Sequence, residues 1–109
     1  MSETVLLIDF FTAIETDPRV NSRHISLYVS LFQFWVKNGA KNPLQLFGKE
    51  VMSICKISAS STYHKTLRDL HAFGYIQYYP SFNHSKASII CLTKIGMHQK
   101  LKIHENILY

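Results

Sequence analysis

The segment KISASSTYHKTLRDLHAFGYIQYY, residues 56–79, holds the side chains of this chain that are best suited to polar recognition. Serines and a threonine come first, and His64, Lys65 and Arg68 follow at positions that share one side of a helix. Arg and Lys side chains bind guanine edges and phosphate oxygens, and the free N–H groups of a first helical turn attract phosphate. This pattern predicts a surface for a polyanion, with nucleic acid as the foremost candidate.

A helix over about 59–73 would hold these side chains outward. Its buried side is predicted from the apolar residues that recur every three to four positions, namely Tyr63, Leu67 and Leu70. Ser58 or Ser60 is the expected N-cap, because a Ser side chain accepts from the first free N–H groups. Gly74 is the expected end of the helix.

Two longer helices are predicted upstream. The first covers residues 4–15 and ends before a proline, and the second covers residues 22–38, with Asn21 or Ser22 as N-cap and Gly39 as stop. The second helix has two apolar stripes, one of Ile25, Tyr28, Val29, Phe32, Trp35 and Val36, the other of Leu27, Leu31 and Phe34. A helix that is apolar on two sides is usually central to the core or shared with a partner subunit.

The remaining elements are short. Residues 44–46 alternate as a short strand would, residues 49–55 have the spacing of a short helix, and residues 56–58 leave room only for a tight turn. After the polar helix, YIQYY and ASIICL are joined by turn-forming residues, which predicts a β-hairpin. Thr93 is expected to cap a last helix. The predicted fold class is mainly α with a small β-hairpin, an α+β protein.

The stretch LRDLHAFGYI, residues 67–76, carries a pattern that recurs in winged helix-turn-helix DNA-binding domains. With the short helix and the serine turn before it and the hairpin after it, residues 44–92 resemble that family. The resemblance implies that the polar helix enters the major groove, and that the hairpin loop lies along the minor groove or the flanking backbone. It also implies one domain over residues 1–109, which consists of N-terminal helices (1–39), a winged helix-turn-helix core (44–92) and a C-terminal helix (93–109).

The DNA contacts that this resemblance implies fall in three places. They are Ser58, Ser60, Ser61 and Thr62 at the helix start, His64, Lys65 and Arg68 on its outward side, and Asn83, His84, Ser85 and Lys86 in the loop. Lys49 and Lys56 flank the short helix and are expected to bind the DNA backbone. Asp69 opposes the assignment unless it faces away from the groove or pairs with Lys65 one helical turn away. Without the resemblance, the alternative interpretation is that the polar side of this helix and the hairpin loop are ordinary solvated surface.

The charge distribution agrees with a polyanionic partner. The sequence has twelve Lys and Arg residues and seven Asp and Glu residues, for a net charge of +5. Up to Gly39 there are three cationic and four acidic residues, whereas from Ala40 onward there are nine and three. The surplus therefore lies in the part of the chain that holds the polar helix and the hairpin.

Residues 42–88 are also similar to small proteins encoded on bacterial mobile genetic elements, in which ATYHK and LHxFGYIxYxPSxNPxKGS recur. This sequence has Ser61 in place of Ala, His84 in place of Pro and Ala87 in place of Gly. The resemblance implies sequence-specific binding of double-stranded DNA by a bacterial transcriptional regulator. Regulators of this fold commonly dimerise through their outer helices, so a homodimer is expected. An accessory or replication-initiation factor of a mobile element, or a winged-helix module that binds protein, stays open.

Other site classes have little support. His64 and His71 are seven apart and His98 and His104 are six apart, whereas two imidazoles that share a metal on a helix are typically four apart. No nucleophile motif or phosphate-cradling loop is evident. We therefore expect no enzymatic activity, no metal, no cofactor and no small-molecule ligand.

The remaining expectations concern location and packing. No apolar run is long enough to cross a membrane, and the first residues lack the positive charge of a secretory signal, so a soluble cytoplasmic chain is expected. Cys55 and Cys91 are expected as buried thiols. Tyr75, Tyr78 and Tyr79 could stack on bases of a single strand, but core packing is the favoured interpretation.

Overall fold

The computed structural model describes residues 2–81 and 86–94. This part contains four helices and a three-stranded antiparallel sheet: α1 (Ser2–Ile14), α2 (Ser22–Lys37), β1 (Leu44–Leu46), α3 (Gly48–Cys55), α4 (Ser60–Ala72), β2 (Ile76–Tyr79) and β3 (Ser88–Leu92). The predicted mainly helical α+β class is confirmed, and the predicted short strand joins the hairpin as a third strand. The predicted last helix lies outside the described residues from residue 95 onward.

The sheet has the strand order β1–β3–β2, so the strand that comes last in sequence lies in the middle. Leu44 and Tyr78 are paired with Ile90 from opposite sides, and all three side chains are buried. On β2, Gln77 and Tyr79 are exposed, on the side of the strand opposite the buried Ile76 and Tyr78. Of the three tyrosines expected in the core, Tyr79 is therefore the exception.

Asn42 continues the pairing of β1 with β3 through its side chain. Its Nδ2 donates to the carbonyl of Leu92 at 2.8 Å, and its Oδ1 accepts from the N–H of Leu92 at 3.0 Å. The side-chain amide thus reproduces one rung of the backbone ladder and fixes the loop after α2 against the central strand.

Helix α2 is central, because α1, α3, α4 and β3 all contact it. Its buried apolar residues are Leu27, Tyr28, Leu31 and Trp35. The predicted central position is confirmed, and the buried surface combines members of both predicted stripes, while Val29 and Val36 are exposed. Asn21 is the N-cap, as one of the two predicted alternatives, and its side chain accepts from the N–H groups of Arg23 and His24.

Helix α1 uses a narrow apolar side. Leu6 and Phe10 are buried, and the Phe10 ring stacks on Tyr28 with centroids 3.8 Å apart. Phe10 also meets Tyr75 edge to face at 5.3 Å. The next residue, Phe11, is exposed. A helix that packs mainly on one neighbour buries one stripe, and the residue after Phe10 points about 100° away from it.

A cluster that we call the clamp, formed by Asp17, Arg19, Phe73 and Tyr75, joins the α1–α2 loop to the end of α4. Arg19 Nε and Nη2 donate to the two carboxylate oxygens of Asp17, each at 2.8 Å, and the hydroxyl of Tyr75 donates to Asp17 at 2.6 Å. The guanidinium lies 4.2 Å from the centroid of the Phe73 ring. The clamp thus closes the loop against the segment that follows α4.

Both cysteines are free thiols, with Cys55 buried and Cys91 half-buried. Burial raises the pKa of the Cys55 thiol, so the neutral form packs as a small apolar side chain. Within residues 2–81 and 86–94, no helix combines the length and the apolarity needed to cross a membrane.

Candidate nucleic-acid interface

Helices α3 and α4 are joined by a tight turn, as predicted. Helix α3 ends at Cys55, and Lys56 follows with a φ of 64°, in the left-handed region. Ile57 is buried and anchors the turn, while the hydroxyl of Ser26 on α2 donates to the carbonyl of Cys55 at 2.6 Å. These contacts fix where the chain emerges before α4 begins.

The amphipathic pattern of α4 is arranged as predicted. Tyr63, Leu67 and Leu70 are buried, and Thr66 lies buried among them with its hydroxyl donating to the carbonyl of Thr62 at 2.7 Å. The other side carries exposed Ser60, Ser61, Lys65 and Arg68 and half-buried Thr62 and His64. Since α4 packs on α2, α3 and β2 through its apolar side, its polar side is left to solvent.

The start of α4 differs from the prediction. Ala59 is the N-cap and supplies no side-chain acceptor, so neither Ser58 nor Ser60 caps the helix. Ile57 is buried two residues before the N-cap, and the helix begins at Ser60. The first turn contains no acidic residue. Its N–H groups therefore form a positive helix end that is suited to an anion.

His64 is held by the first turn of its own helix. Its Nδ1 lies 2.8 Å from the carbonyl oxygen of Ser60 and 3.3 Å from the Ser60 hydroxyl. A carbonyl can only accept, so Nδ1 carries the hydrogen and Nε2 is left for another partner. In the neutral ring Nε2 is an acceptor.

Lys65 and Arg68 differ in their surroundings. Lys65 Nζ lies 3.2 Å from Asp69 Oδ2, which is the predicted pair one turn apart. Asp69 Oδ2 also lies 2.9 Å from Nε2 of the buried His24 on α2. Arg68 is exposed and forms no salt bridge with any residue in the described ranges. Of the two cations, Arg68 is thus the freer.

The other predicted contact residues lie around α3 and the hairpin. Lys49 is exposed in the first turn of α3, and Lys56 is exposed just after its end. Lys86 is exposed two residues before β3. Asn83, His84 and Ser85 fall outside the described residues.

Sequence reasoning missed His24 as a partner of α4. Its Nδ1 accepts from the N–H of Asn21 at 3.0 Å, which completes a capping box, and its Nε2 faces Asp69. A polar residue three positions after an N-cap is the local signal for such a box. His71 likewise has a structural partner, because its Nδ1 accepts from the N–H of Tyr78 at 3.0 Å.

Across the described part of the chain, no three His, Cys, Asp or Glu residues are placed to hold a metal ion.

Comparisons of the chain with protein-family models, with curated proteins and with solved structures find no match.

Proposed function

We propose that this chain is a winged helix-turn-helix protein that binds double-stranded DNA with α4 in the major groove. The observation that carries the proposal is the two-sided character of α4. Tyr63 and Leu67 fasten the helix to the body, while Lys65 and Arg68 stand on the opposite, exposed side. A major-groove helix needs this division, because one side must hold the domain together while the other meets base edges.

The element order supports the same proposal. Helices α3 and α4, joined by a tight turn, are followed directly by the β2–β3 hairpin, and β1 adds the third strand. In this arrangement the segment between β2 and β3 is the wing, and Lys86 stands at its base, exposed. The wing is expected to contact phosphates or the edge of a minor groove.

Each side chain of the interface has a distinct expected role. Arg68 suits a bidentate contact with a guanine, and His64 presents Nε2, an acceptor in the neutral ring, to an amino group on a base edge. The first turn of α4, with its serines and Thr62, suits one phosphate through backbone N–H groups and hydroxyls. Lys49 and Lys56 would bind the DNA backbone on either side of α3 and set the orientation of the domain.

We further propose that the protein acts as a homodimeric transcriptional regulator. Val5, Ile8 and Phe11 are exposed at intervals of three on α1, with Ile8 at 56%. Three exposed apolar side chains on one side of a helix suit contact with a second copy. Two copies related by a twofold axis would place two α4 helices on the half-sites of a palindromic operator.

A protein-binding module is the second candidate, because the same apolar side of α1 would also suit an unrelated protein. The salt dependence of binding separates the two candidates. Neutralising about five phosphates makes log K fall with log salt with a slope of roughly −4 to −5, whereas an apolar protein contact responds weakly to salt.

The proposal is tested by selecting bound duplexes from a random library and measuring their Kd by fluorescence anisotropy between about 50 and 200 mM salt. We expect an enriched sequence and the steep slope given above. Recovery of no preferred duplex, together with a slope near zero, would refute DNA binding as the function.

A further inference from the structure

Asp69 is the one acidic residue of α4, and a residue of the neighbouring helix α2 holds its carboxylate in place. Its Oδ2 lies 2.9 Å from His24 Nε2, and the His24 side chain is only 5% exposed. Since His24 Nδ1 accepts the N–H of Asn21, the ring hydrogen is on Nε2 and is donated to Asp69. His24 thus donates to Asp69 from a buried position.

The fixed carboxylate in turn holds Lys65. The Lys65 ammonium lies 3.2 Å from Oδ2 and 3.5 Å from Oδ1 of Asp69. Partial burial opposes ionisation of Asp69, but the bonds from His24 and Lys65 outweigh it, and the pKa of the carboxyl lies below its ordinary value. The Asp69 carboxylate, held in place by His24, therefore lies beside the Lys65 ammonium on the proposed DNA-binding side, and it stays in place if Lys65 moves away.

We infer that Asp69, anchored by the buried His24, restrains Lys65 and thereby lowers the affinity of the protein for duplexes of unrelated sequence. The inference rests on the proposed function of α4. The ligand from which Lys65 is withheld is the phosphate backbone of non-cognate DNA, which attracts any free cation regardless of sequence. Asp69 is a positioning residue here, because it acts through Lys65.

The restraint has different consequences on different duplexes. On an unrelated duplex, Lys65 could gain only a phosphate contact, and it would have to leave Asp69 while the fixed carboxylate repels the same phosphate. On the preferred duplex, Arg68 and the first turn of α4 bring the helix into register, and the base contacts offset the loss of the Lys65–Asp69 pair. The restraint therefore keeps Lys65 away from the phosphates of an unrelated duplex, whereas on the preferred duplex Lys65 is released at the cost of its pair with Asp69.

The test uses Asp69→Asn in the full chain, because the amide oxygen still accepts from His24 and the shape is kept. We expect affinity for a random-sequence duplex to rise about 5- to 10-fold, with a salt slope steeper by about 1, as for one added phosphate contact. Affinity for the selected duplex should also rise, by a comparable factor, because Lys65 no longer has to leave a carboxylate there. A purely structural role for Asp69 would lower the melting temperature and leave the slope unchanged, which would overturn the inference.

Lys65→Gln supplies the matched second variant. In the Asp69→Asn background it should remove the entire gain on the random duplex, whereas in the wild-type background it should change that affinity less than about 2-fold. If the double variant keeps the higher affinity for the random duplex, Asp69 acts only by repelling phosphate. That result would overturn the inference that Asp69 restrains Lys65. The wild-type arm of this comparison stands even if Asp69→Asn does not fold. There, a slope shallower by about 1 after Lys65→Gln would contradict the inference.

Failure of the inference is distinguishable from failure of the proposed function. If the wild-type protein binds no duplex, the function itself is refuted. If wild-type binding depends on Arg68 but Asp69→Asn leaves the affinity for the random duplex unchanged, only the inference about Asp69 is refuted.

Discussion

The clamp and the outward side of α4 use the same kinds of side chain in opposite ways. In the clamp, Arg19 binds both carboxylate oxygens of Asp17 and covers the ring of Phe73, so its donors are used within the fold. On α4, Arg68 is exposed and has no ion-pair partner among the described residues, and Lys65, although paired with Asp69, is 71% exposed. The difference shows that the supply of partners, rather than the residue type, separates a stabilising cation from one that is available to a ligand.

Exposure strengthens this contrast. The Asp17 side chain is 8% exposed, whereas that of Asp69 is 25% exposed. Charges that are shielded from water interact more strongly, and exposed pairs contribute little to stability. Substitutions in the clamp should therefore change the free energy of unfolding, while substitutions on the outward side of α4 should change binding.

The largest effect on stability is expected from Asp17→Asn. This change removes the charge that Arg19 binds and weakens the bond from Tyr75, so the free energy of unfolding should fall by about 1–3 kcal/mol. Urea denaturation measures it, with the exposed neighbour Glu15→Gln as a matched control that should change stability by less than about 0.5 kcal/mol. Equal losses in the two variants would remove the distinction between the clamp and ordinary surface charge.

A smaller, graded effect is expected from acid. Hydrogen bonds from Arg19 lower the pKa of Asp17 well below its ordinary value, partial burial opposes them, and the bond from Tyr75 adds to the lowering. Because the folded pKa is depressed, the stabilisation is complete above the unfolded pKa of about 3.9 and is lost as pH falls toward the folded value. The stability difference between wild type and Asp17→Asn should therefore narrow below about pH 4. A difference that stays constant from about pH 6 to pH 2 would show that the carboxylate charge is not what stabilises the clamp.

The orientation of α4 can be predicted from sequence because its signal is local. Tyr63, Leu67 and Leu70 repeat at helical spacing, and Gly74, with a φ of 90°, ends the segment. Such a pattern places one side of the helix in the core, regardless of which other elements pack against it. The types and outward placement of Lys65 and Arg68 follow from the same repeat.

Features that depend on distant parts of the chain could not be predicted in this way. Helix α2 is apolar on two sides, and which residues are buried is decided by the elements that meet it from elsewhere in the sequence. The bond between Asn42 and Leu92 joins residues 50 positions apart, and that between His24 and Asp69 joins residues 45 positions apart. The N-cap at Ala59, which supplies no side-chain acceptor, is likewise not revealed by the local serine pattern.

The central claim is that the cationic side of α4 binds duplex DNA, and the most direct test is the affinity of Lys65→Ala/Arg68→Ala for the selected duplex at fixed salt. Two base contacts are worth about 1–3 kcal/mol each, so Kd should rise by at least about 30-fold. The melting temperature should stay nearly unchanged because both side chains are exposed. The control variant Lys37→Ala/Lys41→Ala removes two exposed charges that lie outside α4, and its Kd should stay within about threefold of the wild-type value. An unchanged Kd in the α4 variant, or an equal loss in the control, would contradict the assignment of α4 as the DNA-binding helix.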